Sequence, residues 1–454
     1  MREDNTRTVS IYFLWVGCLA IVLIFLPHYL GTLIAQNQWQ MLSILIFGAV
    51  LAALYFMEGR YLILGTYTSL LLAVTHVGGL ASLFGTLRWI FLGALAVRGV
   101  GNWFLGRVPA RVRFVDLWAV VFLALAFYSQ SYSIMPDVTF QRSAAALLFY
   151  VAIFWGVWSY AQDTDKITFV VEDLLKLAFF VLFVGPIANQ SGRFVGFFSN
   201  PNAFGLFVAL LVPLALWSWL CRRNRFAFYL LCLMSVGLVL SRSRAGLLSA
   251  AFAAGYFLVF YYRKHKFLVI PGVVLLVTLV SLLTQIFGSS MVEDYVRWHS
   301  LLGGSGRTEA WKEVFRLIQL RPWLGYGFGT EDYLFLKFDI LFLEHAGAYA
   351  HNSYIGLTSQ LGFLGASLFF VPVMFFFIRR TLRLRHIPPG DEPWLNLALN
   401  ASILAGFVNA LFESWMYTPG SAFNFSFWVF VMLAYQLDLI RSVRQAVPLR
   451  QGIQ

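Results

Sequence analysis

Apolar blocks of about 16 to 22 residues recur along almost the whole chain, and no other feature limits its fold as strongly. Each can cross the roughly 30 Å hydrocarbon of a bilayer as one α-helix. In lipid every backbone N–H and C=O needs a partner inside the protein, so such blocks must be helical. A membrane β-barrel would show alternating segments of about ten residues instead, and the sequence has none. Only 12% of the 454 residues are charged and mean hydropathy is +0.74. A soluble domain carries about 25% charged residues, so a water-soluble enzyme is excluded.

Spans are expected near 11–29, 40–57, 61–76, 79–97, 115–131, 143–161, 167–187, 203–221, 225–240, 244–262, 267–287, 351–378, 394–413 and 422–440. The fold class is an all-α polytopic membrane protein of about 12–14 transmembrane helices. The first block, Ile11 to Leu30, leads into Gln36, Asn37 and Gln38 rather than a small-residue cleavage site, so it reads as a retained span. Arginine and lysine collect in every second short loop, as at Arg60, Arg98 to Arg113, Arg222 to Arg225 and Arg379 to Arg385. The positive-inside bias then puts both termini in the cytoplasm. The net charge of +12 is accounted for by these loops and does not point to nucleic acid. Cys18, Cys221 and Cys232 lie in or beside apolar blocks, without metal-ligand spacing, and read as buried small hydrophobes.

Three segments follow as parts of one integral unit: N-terminal helices over 1–287, a large periplasmic loop over 288–350, and C-terminal helices over 351–454. The loop is expected to be structured. Thr308 can cap a helix with Glu309 in its first turn, and Trp311, Val314, Phe315 and Ile318 fall on one face. Pro322 stops that helix, and Gly325 and Gly327 make a turn. The apolar runs 333–336 and 340–343 read as short helices on the outer leaflet.

Against the bias, the outer face keeps cations in three places: Arg193, the Arg242–Arg244 stretch, and the long loop. Arg193, Arg244 and Arg307 each sit at a predicted helix start. A guanidinium fork matches phosphate oxygens, and helix N-termini add N–H groups and a favourable dipole. An anionic ligand, a diphosphate above all, fits that pattern. His351 stands at another helix entrance with Asn352 and Tyr354, and an imidazole is the side chain best suited to general-base work near neutral pH. The plainer readings are lipid-headgroup contact for Arg242 and Arg297, a turn and cap for Asn200-Pro201-Asn202, a structural hydrogen bond for His351, and a solvated or ion-paired Glu413.

The ordered set Arg193-Phe-Val-Gly196, Asn200-Pro201-Asn202, Ser241-Arg242-Ser243-Arg244-Ala-Gly246, Gly306-Arg307, Gly325-Tyr-Gly327 and His351-Asn352-Ser-Tyr354 resembles the bacterial O-antigen ligase and O-antigen polymerase superfamily over about residues 185 to 370. The resemblance implies a GT-C-like helical fold. It implies transfer of a glycan from undecaprenyl diphosphate to an acceptor sugar hydroxyl, with no metal, nucleotide sugar or other cofactor. The acceptor is lipid A–core in a ligase, the first expectation, and another lipid-linked glycan in a polymerase. Carried over by position, Arg244 and Arg307 hold the donor diphosphate, Arg193 is a third contact with Arg242, Asn202, Asn352 and Tyr354 nearby, and His351 takes the acceptor proton. Such ligases are expected to have about 12 spans, fewer than the roughly 14 read here. A transporter or lipid flippase is the competing class. It would place charged residues near the midplane, where this chain offers little beyond Glu172, Asp173 and Lys176, which can pair along one helix.

Overall fold

The computed structural model describes residues 48–50, 53–108, 113–184, 189–190, 192–263, 307–340, 350–384 and 390–451. Its contacts gather into two units, 1–57 and 58–454. The described part of the first unit includes a helical stretch over 53–56; the elements below belong to the second. The expected spans 11–29 and 267–287, most of 40–57, and also Cys18 and Arg297 lie outside the described residues.

The apolar blocks fold as helices: α1 (Gly59–Leu72), α2 (Gly78–Phe104), α3 (Phe114–Tyr128), α4 (Pro136–Tyr160) and α5 (Thr164–Val184). A two-residue hairpin follows, β1 (Asn189–Gln190) and β2 (Arg193–Phe194). Then come α6 (Pro201–Leu220), α7 (Arg225–Ser241), α8 (Arg244–Tyr261), α9 (Arg307–Leu320), α10 (Glu331–Lys337), α11 (Ser353–Leu384), α12 (Asp391–Asn409) and α13 (Ala422–Gln451). Among the described residues seven helices are long and apolar enough to cross a membrane: α2, α3, α4, α6, α8, α11 and α13. The breaks expected within 61–97 and 225–262 are present, so α1 and α2, and α7 and α8, are separate helices.

Helices α6, α8 and α12 pack on one another, and α6 is apolar all round because it is enclosed. Close packing of α6 on α8 depends on facing glycines. A Cβ on Gly246 would lie 2.5 Å from the Gly205 Cα, so the two backbones touch as small residues allow. Ion pairs hold Glu172 and Asp173 of α5. Asp173 does meet Lys176 at 3.5 Å within α5, but it also takes a two-pronged bond from Arg60, at 2.5 and 2.7 Å, while Glu172 meets Arg222 at 3.2 Å.

The segment after α8 corrects two expectations. Ala310, Val314, Leu317 and Ile318 form the buried stripe of α9, whereas Phe315 is 50% exposed. Apolar residues on both flanks of that helix leave its rotation open until a partner is known. In α10, Leu334 and Phe335 are buried beside α9 rather than laid on lipid. Beyond α9 the chain turns at Gly325 and Gly327, with φ of +66° and +107°. Tyr326 and Gly327 donate to the Gln360 carbonyl at 3.0 and 2.8 Å. That carbonyl is free because α11 is two helices joined at Gly362, φ 63° and ψ −172°. A Cβ there would strike the Trp323 carbonyl carbon at 2.1 Å, so the turn plugs into the break.

Candidate active site

Local capping signals bring several helix ends together. Asn200 caps α6 by accepting from the Ala203 N–H at 2.8 Å, and Ser243 caps α8 by accepting from Gly246 at 3.3 Å. Arg242, left-handed at φ +51°, closes α7. Arg193 reaches from β2 into this turn: Nε donates to the Ser241 carbonyl at 3.1 Å, and Nη2 to the Arg242 carbonyl at 3.1 Å and Asn202 Oδ1 at 3.4 Å. Ser243 Oγ also donates to Asn202 Oδ1 at 3.4 Å. Arg244 follows as the first residue of α8 and is half-buried.

Asn202 passes the connection on. Its Nδ2 donates to Glu413 Oε1 at 2.8 Å, and Glu413 Oε2 lies 3.1 Å from His351 Nδ1. The side chains of His351 and Glu413 are 23% and 17% exposed, open enough for a ligand to reach and dry enough for the pair to be strong. A carboxylate only accepts, so Nδ1 carries the hydrogen, and in the neutral imidazole Nε2 is then the basic nitrogen.

His351 is left-handed, φ +51°, an uncommon conformation for a side-chain-bearing residue. Both neighbours hold it there. The Ala350 N–H donates to Glu331 Oε1 and the Asn352 N–H to Ser414 Oγ, each at 3.0 Å. Asn352 also caps α11, accepting from Tyr354 and Ile355, and its Nδ2 donates to the Leu411 carbonyl. The Tyr354 hydroxyl donates to the Phe407 carbonyl at 3.0 Å, tying α11 to α12. The polar atoms of Asn352 and Tyr354 are thus engaged within the fold and set the course of the chain around His351.

Arg307 begins α9. One turn on, Trp311 Nε1 donates to the Ala350 carbonyl at 2.7 Å, so the positive end of this helix stands beside the His351 loop. Arg193, Asn202, Arg242, Arg244, His351 and the start of α9 therefore meet at one end of the bundle.

Two acids were not read from the sequence as site residues. Glu413 is ion-paired, one of the two roles foreseen for it, but the partner is His351. Glu331 is buried, accepting from Ser414 Oγ at 2.8 Å and from the Tyr417 hydroxyl. Burial pushes Glu331 up to about 7, and burial beside that carboxyl pushes the Tyr417 phenol well above its ordinary value. Glu331 lies in the first turn of α10, where an acid is ordinarily a solvated partner of the helix dipole. Among the described residues no cluster of three or more His, Cys, Asp and Glu side chains is placed to hold a metal ion.

Residues 229–370 match the family described as O-Antigen ligase. The match takes in Arg242, Arg244, Arg307, His351, Asn352 and Tyr354, while Arg193, Asn202 and Glu413 lie outside it. A search of curated proteins gives no match.

Proposed function

With residues 229–370 in the O-antigen ligase family, we propose that the protein is a membrane glycosyltransferase that moves a glycan from undecaprenyl diphosphate onto an acceptor sugar hydroxyl, most simply the lipid A–core of lipopolysaccharide. The observation that carries this reading is the Glu413–His351 pair, joined through Asn202 to the arginine-bearing turn between α7 and α8.

In this reading the site faces the periplasm of the inner membrane, with 288–350 as a periplasmic loop on a GT-C-like bundle. Arg244 and Arg307 hold the donor diphosphate, helped by the N-termini of α8 and α9. Arg193 and Arg242 shape the turn that presents Arg244. The acceptor hydroxyl gives its proton to His351 Nε2 as its oxygen bonds to the anomeric carbon. The bond from that carbon to the diphosphate oxygen breaks, and undecaprenyl diphosphate leaves with its charge met by the arginines. Glu413 fixes the imidazole tautomer and steadies the imidazolium that forms, as the carboxylate of a hydrolase triad does. No metal or nucleotide sugar enters the scheme. The transport alternative is disfavoured because Asp173 and Glu172 of α5 are already ion-paired with Arg60 and Arg222.

The test is a lipopolysaccharide gel from a deletion strain complemented with wild type or His351→Ala. Bare lipid A–core in the deletion, with a ladder restored by wild type alone, supports the ligase. Core bearing a single repeat unit supports the polymerase. A normal ladder in the deletion removes both.

A further inference from the structure

A polar cavity of about 200 Å³ opens beside the His351 loop without including His351. Glu331 and Ser414 form the wall it shares with that loop, bonded to Ala350 and Asn352 on either side of the histidine. Arg142 of α4 and Asp332 of α10 face the same space, and Phe328 and Pro419 give it flat apolar rings.

The lining is suited to hydroxyl groups. Arg142 Nη2 and Asp332 Oδ2 are 3.6 Å apart, and both side chains are more than a third exposed, so a ligand can displace that loose pair at little cost. Gln360 is a fixed wall: its Oε1 accepts from Gly329 and its Nε2 donates to the Gly356 carbonyl. The cation and the anion offset each other, and burial pushes the Glu331 carboxyl up to about 7, so it is partly protonated near neutral pH. An anionic group would enter against two carboxyl groups. An apolar group would strip water from Arg142 and Asp332 without replacing its hydrogen bonds. The space, about 200 Å³, is smaller than a drug-sized pocket and on the scale of one sugar ring.

We propose that this cavity is a saccharide subsite that seats one neutral pyranose of the substrate glycan next to His351. Its hydroxyls donate to Asp332 and Glu331 and accept from Arg142, and its C–H face lies on Phe328 or Pro419, the mix of few polar groups and apolar walls typical of small-ligand sites. The origin of the sugar rests on the transferase reading above; the cavity and its chemistry do not.

The test uses full-length protein in nanodiscs and, as probe, one repeat unit of the host surface glycan released from its lipid by mild acid. Binding is titrated by saturation-transfer NMR. Wild type, His351→Ala and Arg244→Ala are expected to bind alike. Thr418→Leu, which fills the cavity, and Asp332→Asn, which alters a half-exposed wall residue without disturbing the core, are expected to weaken binding at least tenfold. Equal binding by wild type and both cavity variants, or none by wild type, overturns the subsite. Transfer of label from the lipid-linked donor is measured on the same preparations. A wild type that transfers but does not bind through this cavity keeps the reaction and loses the subsite. One that binds here and transfers nothing does the reverse.

Discussion

His351 Nδ1 and Glu413 Oε2 stand 3.1 Å apart although 62 residues separate them in sequence. Glu413 is held from two further sides: Asn202 donates to its side chain, and Ser353 Oγ to its backbone carbonyl at 2.7 Å. The pair is therefore fixed by three helix ends, those of α6, α11 and α12. Loss of the base is expected to slow transfer by about 10²–10⁴-fold in His351→Ala. Glu413→Ala is expected to lower kcat by up to about 10⁴-fold through misplacement of the imidazole, with Glu413→Asp recovering part of the loss. Single-turnover transfer by purified protein measures all three. Full activity in Glu413→Ala, or an Asp variant no better than Ala, would remove the positioning role.

The contact between α6 and α8 sets where Ser243 and Arg244 stand relative to Asn202. Gly246→Ala is expected to force these backbones apart, since the new methyl meets Gly205 main-chain atoms at 2.5 and 2.7 Å and main chain cannot rotate away. Overpacking of this kind costs about 1–3 kcal/mol. Transfer should fall further than the loss of folded protein explains, because the Ser243–Asn202 contact moves with the helices. Thermal unfolding in detergent, read beside activity per folded molecule, separates the two effects. An alanine variant with wild-type stability and activity contradicts the packing argument.

Much of this arrangement is legible in the sequence where the signals are local. Apolar length marks the spans, and Asn200-Pro201 and Ser243 mark helix starts, because a cap acts within three residues of itself. Glu413 and Glu331 are not legible in the same way. Their partners lie 62 and 86 residues away, and only packing brings them together. Helical spacing alone places Phe315 on the inner face of α9, whereas the packed helix turns Leu317 inward. The break in α11 rests on Gly362 receiving the 322–327 turn, a contact that no local signal announces.

Far from the site, Arg380 is 2% exposed and meets Asp438 at 2.8 Å as well as the Ala434 carbonyl. Asp438→Asn leaves that guanidinium buried without its counter-charge, for which about 3–5 kcal/mol is expected, reduced somewhat because the Asp438 side chain is 24% exposed. Arg380→Met combined with Asp438→Leu removes both charges and should regain most of the loss. A double-mutant cycle on thermal stability checks this. Additive losses would show that the two residues do not act as a pair.

Glu331 makes the stability of the His351 loop depend on pH. Its folded-state pKa, pushed up to about 7 by burial, lies above its ordinary value of 4.5. The folded protein therefore binds a proton that the unfolded chain has released over that interval. The contribution of Glu331 to stability is full below about 4.5 and is lost as pH rises through about 7. At ~1.4 kcal/mol per pH unit, the interval from 4.5 to about 7 sets a ceiling of roughly 3.5 kcal/mol. Glu331→Gln cannot ionise, and its amide can still accept from Ala350 and Ser414 and donate to Tyr417. The variant should match wild type near pH 5 and exceed it near pH 8. Unfolding temperatures of both proteins across that range decide the matter: parallel curves would mean that Glu331 titrates alike in the folded and unfolded chain.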